Sequence, residues 1–417
     1  MLSIVNKMQD QALKKILLES IPIVRRLLYI PEKPSKLESL SDLAPIIELY
    51  HHTVQTGELA KAYYLFQKKL AHQLYYYFSS YRLLIELGSA LFIEDENIPS
   101  LSIPKRIQAS VANTLANSYS VSGQPEKAVK LFILAAHIDE SDKKNLAIDL
   151  LNIASMAQID IGALREAQRN LHHAIDLCRD IKEEALEPAV HAELGQIFSY
   201  LCNWEDSEKE LEAAVHGFEK RENLQAQSMV WSYRALWFLL KTREDPKSIT
   251  PNSNFAIQST VRALELSDEM TRTSMKVPRD YVRAHWLLGA AYRLNDQLNL
   301  AEQHLGEALA RDRAINTVDL EAKILLDLAR LRYDQENYEE AKSLANEALS
   351  ITERCGYVLQ GADVNLFLAQ YALEQEKDKV KAKEYAETAP KLAYCNGPPY
   401  YYKVAYEEAE RLLENLK

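Results

Sequence analysis

The 417-residue sequence predicts an all-α solenoid of about seven to eight stacked helix hairpins with a period near 40, closed by a C-terminal capping helix. Three observations carry that prediction. A pattern of Leu, a small residue, an aromatic three positions on and an Ala beyond an intervening turn recurs along the chain. Leu115, Ala116, Tyr119, Gly123, Ala128, Phe132 and Ala135 form one copy, and Leu288, Gly289, Tyr292, Ala301, Leu305 and Ala308 nearly duplicate it. The small residues that open the second helices, Ala128, Ala167, Ser207, Ala301, Ala341 and Ala382, are 39, 40, 94, 40 and 41 positions apart, so the long step hides one irregular unit. With 47% hydrophobic and 26% charged residues but only 11 Gly and 14 Pro, the composition suits soluble helices and not a β fold full of tight turns. Antiparallel helices approach closely only where one offers a small side chain to the other's ridge. Such units cannot bury their apolar faces alone, so they must stack.

In chain order, residues 1–36 read as an N-terminal helix and linker, with an amphipathic stretch from Ala12 to Leu28. Residues 37–100 read as a divergent first hairpin, Leu43 to Thr56, stopped by Gly57 and followed by Leu59 onward with Tyr63, Tyr64 and Phe66, and then a long helix from Gln73 to Phe92. Residues 101–395 hold the regular repeats. Their irregular unit carries Trp231, Tyr233 and Trp237 in its first helix, a loop from about Thr242 to Asn254 with Pro246 and Pro251, and a second helix around Ala256 to Met270. Residues 396–417 form the cap: Pro398 and Pro399 open a helix from Tyr400 to Leu416 whose Lys403, Glu407, Glu408, Glu410 and Arg411 suit a solvated face.

Charge and motif content narrow the function. Sixty acidic against 49 basic residues give a net charge of -11, which repels phosphate backbones and anionic lipid heads, so neither nucleic acid nor membrane is expected as a partner. No apolar run approaches the ~20 residues of a membrane span, and no secretory leader is evident. The four cysteines, Cys178, Cys202, Cys355 and Cys395, have no paired spacing, which fits a reduced cytoplasm. No phosphate-binding P-loop, Gly-x-Ser-x-Gly elbow or His-Glu-x-x-His helix occurs. Adjacent helical residues point about 100° apart, so His51-His52 and His172-His173 read as surface or packing histidines, not as metal ligands. Asp327 with Asp334, and Glu339 with Glu340, read as solvated carboxylates. Trp204, Trp231 and Trp237 read as core. The expectation is a protein without enzymatic activity, cofactor or metal.

The spacing of Leu, small residue, aromatic and Ala resembles that of tetratricopeptide repeats from about residue 43 to 390. The resemblance implies a right-handed superhelix. A period near 40 exceeds the 34 residues usual for that repeat, so helices of ~17 residues, roughly 25 Å long, should wall a deep groove. It also implies that the first helix of each pair lines the concave face. In the family's register the ligand-facing positions become Asn113, Asn117, Ser120, Asn152 and Gln196 in the front half. The back half supplies Arg283, Trp286, Arg293, Lys323, Arg330, Tyr333 and Gln370. Amides can bond both N–H and C=O of an extended peptide, and Asn117 matches by position the asparagine that holds a ligand backbone in peptide-binding members. Guanidinium groups beside aromatics suit a carboxylate, a phosphate or an acidic segment. The alternative for the basic set is a salt-bridged surface, with Arg283 on Asp280 or Asp327 and Arg330 on Asp334.

Longer stretches, among them "LYHHTVQTGELAKAYYLF" (Leu49 to Phe66), "DYVRAHWLLGAAYRLN" (Asp280 to Asn295) and "CNGPPYYYKVAYEEAERLL" (Cys395 to Leu413), resemble the C-terminal repeat half of bacterial and archaeal signalling ATPases of the STAND class. That resemblance implies a sensor whose ligand releases an inhibited state, here without the ATPase module. The chain is then a free-standing sensor working with a separately encoded signalling ATPase, or a truncated relic of a larger one. Three functions follow. The first is a cytoplasmic sensor or scaffold that takes a peptide, protein segment or small effector in its groove. The second is a peptide-responsive regulator that binds or dephosphorylates a response regulator. The third is an assembly scaffold with no ligand.

Overall fold

A computed structural model describes residues 39–92, 104–274 and 276–416. The N-terminal helix and linker expected over 1–36 lie outside them. Among the described residues there are 18 α-helices and no strand, arranged as the right-handed helical solenoid that the repeats imply.

The first hairpin pairs α1 (Ala44–Gln55) with α2 (Leu59–Leu65), which runs on through wider turns at Phe66–Leu70 and Gln73–Tyr77. The single long helix expected from Gln73 to Phe92 is broken. Ser79 takes a left-handed φ of 47°, Ser80 N–H donates back to the Leu74 carbonyl, and a separate helix, α3 (Tyr81–Ser89), follows. Seven further hairpins then stack in order. They are α4 (Lys105–Val121) with α5 (Pro125–Ile138), α6 (Lys143–Ile153) with α7 (Leu164–Ile181), and α8 (Glu187–Tyr200) with α9 (Trp204–Glu219). Next come α10 (Leu224–Glu244) with α11 (Ile249–Thr273), α12 (Pro278–Leu294) with α13 (Leu298–Ile315), α14 (Val318–Asp334) with α15 (Tyr338–Cys355), and α16 (Val358–Tyr371) with α17 (Lys379–Ala393). A last helix, α18 (Lys403–Asn415), starts three residues later than expected because Tyr402 N–H donates to the Ala393 carbonyl and holds 400–402 in a turn.

The irregular unit is the hairpin α10/α11, and its loop is far shorter than proline content suggests. Pro246 sits in a single tight turn and Pro251 in the first turn of α11. There the missing N–H would have had no helical partner anyway, so the helix begins before the proline instead of after it.

Seven of the eight hairpins turn in the same way. A left-handed residue lies at Gly57, Gly123, Gly162, Cys202, Asp296, Glu336 and Lys377, and the buried small residue follows five positions later, at Ala62, Ala128, Ala167, Ser207, Ala301, Ala341 and Ala382. All seven of those small residues are 0% exposed, which is what close helix approach requires. Hairpin α10/α11 has no such turn residue and is the one that departs from the 40-residue period.

The superhelix closes on itself. Gly123, in the α4/α5 turn, meets Val318 and Cys355 of α14/α15, and Gly162, in the α6/α7 turn, meets Val358 and Cys395 beside α16 and α17. Val358 N–H donates to the Asp160 carbonyl at 2.8 Å. Tyr200 of α8 packs edge-on against Tyr402 at the start of α18. The second hairpin thus touches the seventh and the third touches the eighth, so one superhelical turn takes five hairpins. The concave face becomes a narrow interior lumen instead of an open deep groove.

Candidate functional site

The lumen contains the larger share of the expected site residues, in three connected chambers. The deepest, about 60 Å³, is walled by Gln196, Arg283, Trp286 and Lys323 together with Asp160 and Tyr233. Next along the axis is a cavity of about 260 Å³ whose walls include Trp286, Arg293, Lys323 and Arg330 over Leu236, Leu240 and Leu359. It opens at the C-terminal end into a mouth of about 550 Å³ bordered by Arg293, Arg330, Tyr333 and Gln370. Asn113, Asn117 and Asn152 line none of these chambers.

The front amides are engaged with their own neighbours. Asn113 Nδ2 donates to the Asp149 carboxylate, and Asn152 Nδ2 reaches Asn113 Oδ1 at 3.5 Å. Burial pushes the Asp149 carboxyl up to about 7, against the lowering effect of Asn113. Ser120 donates to the Met156 carbonyl. Asn117 is half-buried beside them.

The basic residues are ion-paired. Arg283 bonds Asp280 at 3.4 Å, as one sequence alternative held. Arg330 takes Asp327, three residues before it, at 2.9 Å, and not Asp334. Asp334 belongs to Arg293, one repeat earlier, at 2.8 Å. Trp286 Nε1 donates to the other oxygen of Asp327 at 2.7 Å, and Lys323 reaches Asp160 at 3.4 Å. Tyr333 donates to Glu374 and accepts from Gln375 Nε2 at 2.9 Å; burial and the Glu374 charge push its hydroxyl up to about 12.

Four residues that periodicity alone does not single out complete the cavity. Arg243, the penultimate residue of α10, bonds both Glu408 oxygens, at 3.1 and 2.6 Å, faces Asp363 at 2.8 Å and donates to the Tyr402 hydroxyl at 2.7 Å. Burial works against its charge, and the flanking Asp363 and Glu408 carboxylates more than offset that. The expected loop over Thr242 to Asn254 hid Arg243, and the expected solvated face hid Glu408, which instead turns toward α10. The one available signal was the helical spacing of Leu236, Leu240 and Arg243, which continues α10 past Thr242.

A further chamber of about 250 Å³ lies at the N-terminal end, where Tyr75 and Tyr81 meet Arg279 and Glu193. Arg279 is committed to Asp319 through two bonds. Glu193 accepts from Tyr233 at 3.0 Å, and burial pushes its carboxyl up to about 7.

Among the described residues, no group of three or more His, Cys, Asp or Glu side chains could hold a metal ion, and no helix is long and apolar enough to cross a membrane. The His285 and His304 rings meet through their Nδ1 atoms at 2.9 Å, an N–H···N bond that needs one ring neutral.

Fold and site together define a helical-repeat solenoid with an interior lined by paired charges and apolar side chains. Residues 280–354, which span almost all of α12 to α15, match the tetratricopeptide repeat model. No curated protein matches the chain. Solved structures similar to it at low identity include the following three. A Rap protein complexed with competence and sporulation factor shares 12% identity over 90% of this chain and 97% of its own, with a TM-score of 0.49. A STAND protein with a tetratricopeptide repeat sensor, from Pyrococcus horikoshii, shares 15% over 76% of this chain and 54% of its own, with a TM-score of 0.40. Aspartyl phosphate phosphatase F from Bacillus subtilis shares 12% over 90% and 95%, with a TM-score of 0.42.

Proposed function

We propose that this chain is a non-enzymatic cytoplasmic receptor that takes a small effector or the end of a peptide into its lumen and passes the event to a protein partner. The observation that carries the reading is the 260 Å³ cavity, whose wall combines apolar side chains with a few fixed charges drawn from hairpins four to eight. Ligand sites are ordinarily concave, mainly apolar and furnished with a small number of oriented polar groups. Because the wall joins α10, α12, α14, α16 and the start of α18, a ligand there touches both superhelical turns at once. Its binding energy therefore bears directly on whether the turns stay closed. The partner that reads the change is, on the sequence resemblance, a separately encoded signalling ATPase.

The test is native mass spectrometry of the protein purified from its own cells, beside an Ala290→Phe variant. Ala290 lies on the cavity wall at 5% exposure, so a ring there takes up space in the chamber, and a matching circular dichroism spectrum checks that the fold is kept. A ligand mass carried by the parent and absent from the variant is expected. A protein partner retained equally by both, with no ligand on either, would make this a convex-face scaffold instead.

A further inference from the structure

We propose that the lumen ligand is a compact anion, a carboxylate or phosphate carried on an apolar body, held by Arg293, Lys323 and Arg330; this rests on the lumen being the binding site. Four cations and three carboxylates face the 260 Å³ cavity, while Asp334 and Asp160, the partners of Arg293 and Lys323, stand outside its wall. The wall groups are unequal in hydrogen-bonding capacity. Asp327 gives one oxygen to Arg330 and the other to Trp286; Asp363 accepts from Tyr402 at one oxygen and is ion-paired with Arg243 at the other; Glu408 gives both to Arg243. The acceptors are therefore engaged.

The donors are not. Arg293 bonds Asp334 through Nη1 alone, and its buried Nε has no partner. Arg330 bonds Asp327 through Nη1 alone. Lys323 has one long contact, 3.4 Å, to Asp160. A guanidinium carries five N–H donors and an ammonium three, so these groups can bind an acceptor without giving up their present pairs. Gln360 Oε1 and Asp363 Oδ1 are buried acceptors on the wall without a hydrogen bond; Asp363 Oδ1 lies 2.8 Å from Arg243 as an ion pair, and Gln360 Oε1 suits a hydroxyl on the ligand or a water.

The same wall carries Leu236, Leu239, Leu240, Leu294 and Leu359, which give an apolar body somewhere to lie. Without its mouth the cavity lies below the ~300–1,000 Å³ common for drug-sized ligands, which suits a compact group at this depth. A charged hydrogen bond inside such a chamber is strengthened by the low dielectric around it.

The experiment is isothermal titration of the whole chain with sodium octanoate, octyl phosphate, octanol, octylammonium and inorganic phosphate. Octanoate or octyl phosphate should bind saturably, octylammonium should not, and octanol should bind at least roughly tenfold more weakly than the anions. Arg330→Gln and Arg293→Gln should each weaken the anions by roughly tenfold or more, provided their circular dichroism matches the parent. Ala290→Phe, which removes no charged group, should abolish binding, with circular dichroism matching the parent, even if the arginine variants fail to fold. Equal binding of octanoate, octanol and octylammonium would overturn the anion assignment while leaving the lumen as a site. Binding that survives Ala290→Phe would overturn the lumen itself. No binding by either anionic probe would overturn the proposal.

Discussion

Glu193 is 4% exposed on α8, with one oxygen on Tyr233 and the other, Oε2, unpartnered. Its folded value, about 7, lies above the ordinary 4.5, so the fold prefers the protonated acid. That preference is fully satisfied below about pH 4.5 and is lost as pH rises through 7. Glu193→Gln keeps the acceptor for Tyr233 and removes the charge. The variant should match the parent at pH 4.5 and exceed it by on the order of 2 kcal/mol at pH 8, measured by urea denaturation; equal stability at both would show that water reaches the group. At the level of single residues, Trp286, Arg293, Lys323 and Arg330 of the expected set share one cavity, whereas Arg283 lines its neighbours. The sequence could not say how they pair. Asp149, which engages Asn113, lies 36 positions away, and the choice of Asp327 over Asp334 by Arg330 depends on Arg293 of the previous repeat. Such choices follow from superhelical rise and twist, which no local spacing encodes.

Hairpin construction is where sequence reading is most informative. The 39- and 40-residue steps between small residues match the steps between the left-handed turn residues five positions before them, because the same turn geometry is repeated. Two glycines of the one hairpin α12/α13 make a contrast. A Cβ on Gly289 would lie 2.6 Å from Leu305 Cγ and 3.0 Å from its backbone nitrogen, whereas one on Gly306 would meet nothing within 4 Å. Gly289→Ala should therefore destabilise by about 1–3 kcal/mol, and Gly306→Ala should stabilise by about 0.5–1 kcal/mol through helix propensity, both read from thermal or chemical melts. Turn residues differ in the same informative way. Glu336 holds a φ of 60° without being glycine, so Glu336→Gly should gain up to about 1 kcal/mol from relief of left-handed strain. Gly123 and Gly162 have a second constraint, since a Cβ there would lie 2.9 Å from Val318 and 2.8 Å from Val358 of the next superhelical turn. Proline content misled the reading of α11, because a proline in a first turn interrupts nothing.

For the whole molecule the consequential feature is closure after five hairpins, which turns a concave face into an interior. Repeats legible at 40 residues say that hairpins stack; the angle between successive hairpins, summed five times, decides whether the ends meet. That sum was not legible, and it is why a deep open groove was expected where a set of small chambers stands. Arg243 is the clearest link across the closure, joining α10 to Asp363 on α16 and Glu408 on α18, 165 positions away. Its guanidinium and the Glu408 carboxylate are 18% and 29% exposed, so removing either leaves a largely buried, partly unpaired charge. Arg243→Met should loosen α18 from the lumen and raise amide exchange along 403–415 well before global unfolding. The most direct measurement is a double-mutant cycle on Arg243→Met and Glu408→Gln by equilibrium urea denaturation. A closed superhelix predicts a coupling energy of about 1–3 kcal/mol between the two positions. A coupling below about 0.3 kcal/mol, the additivity expected of distant sites, would contradict the closure and the interior lumen with it.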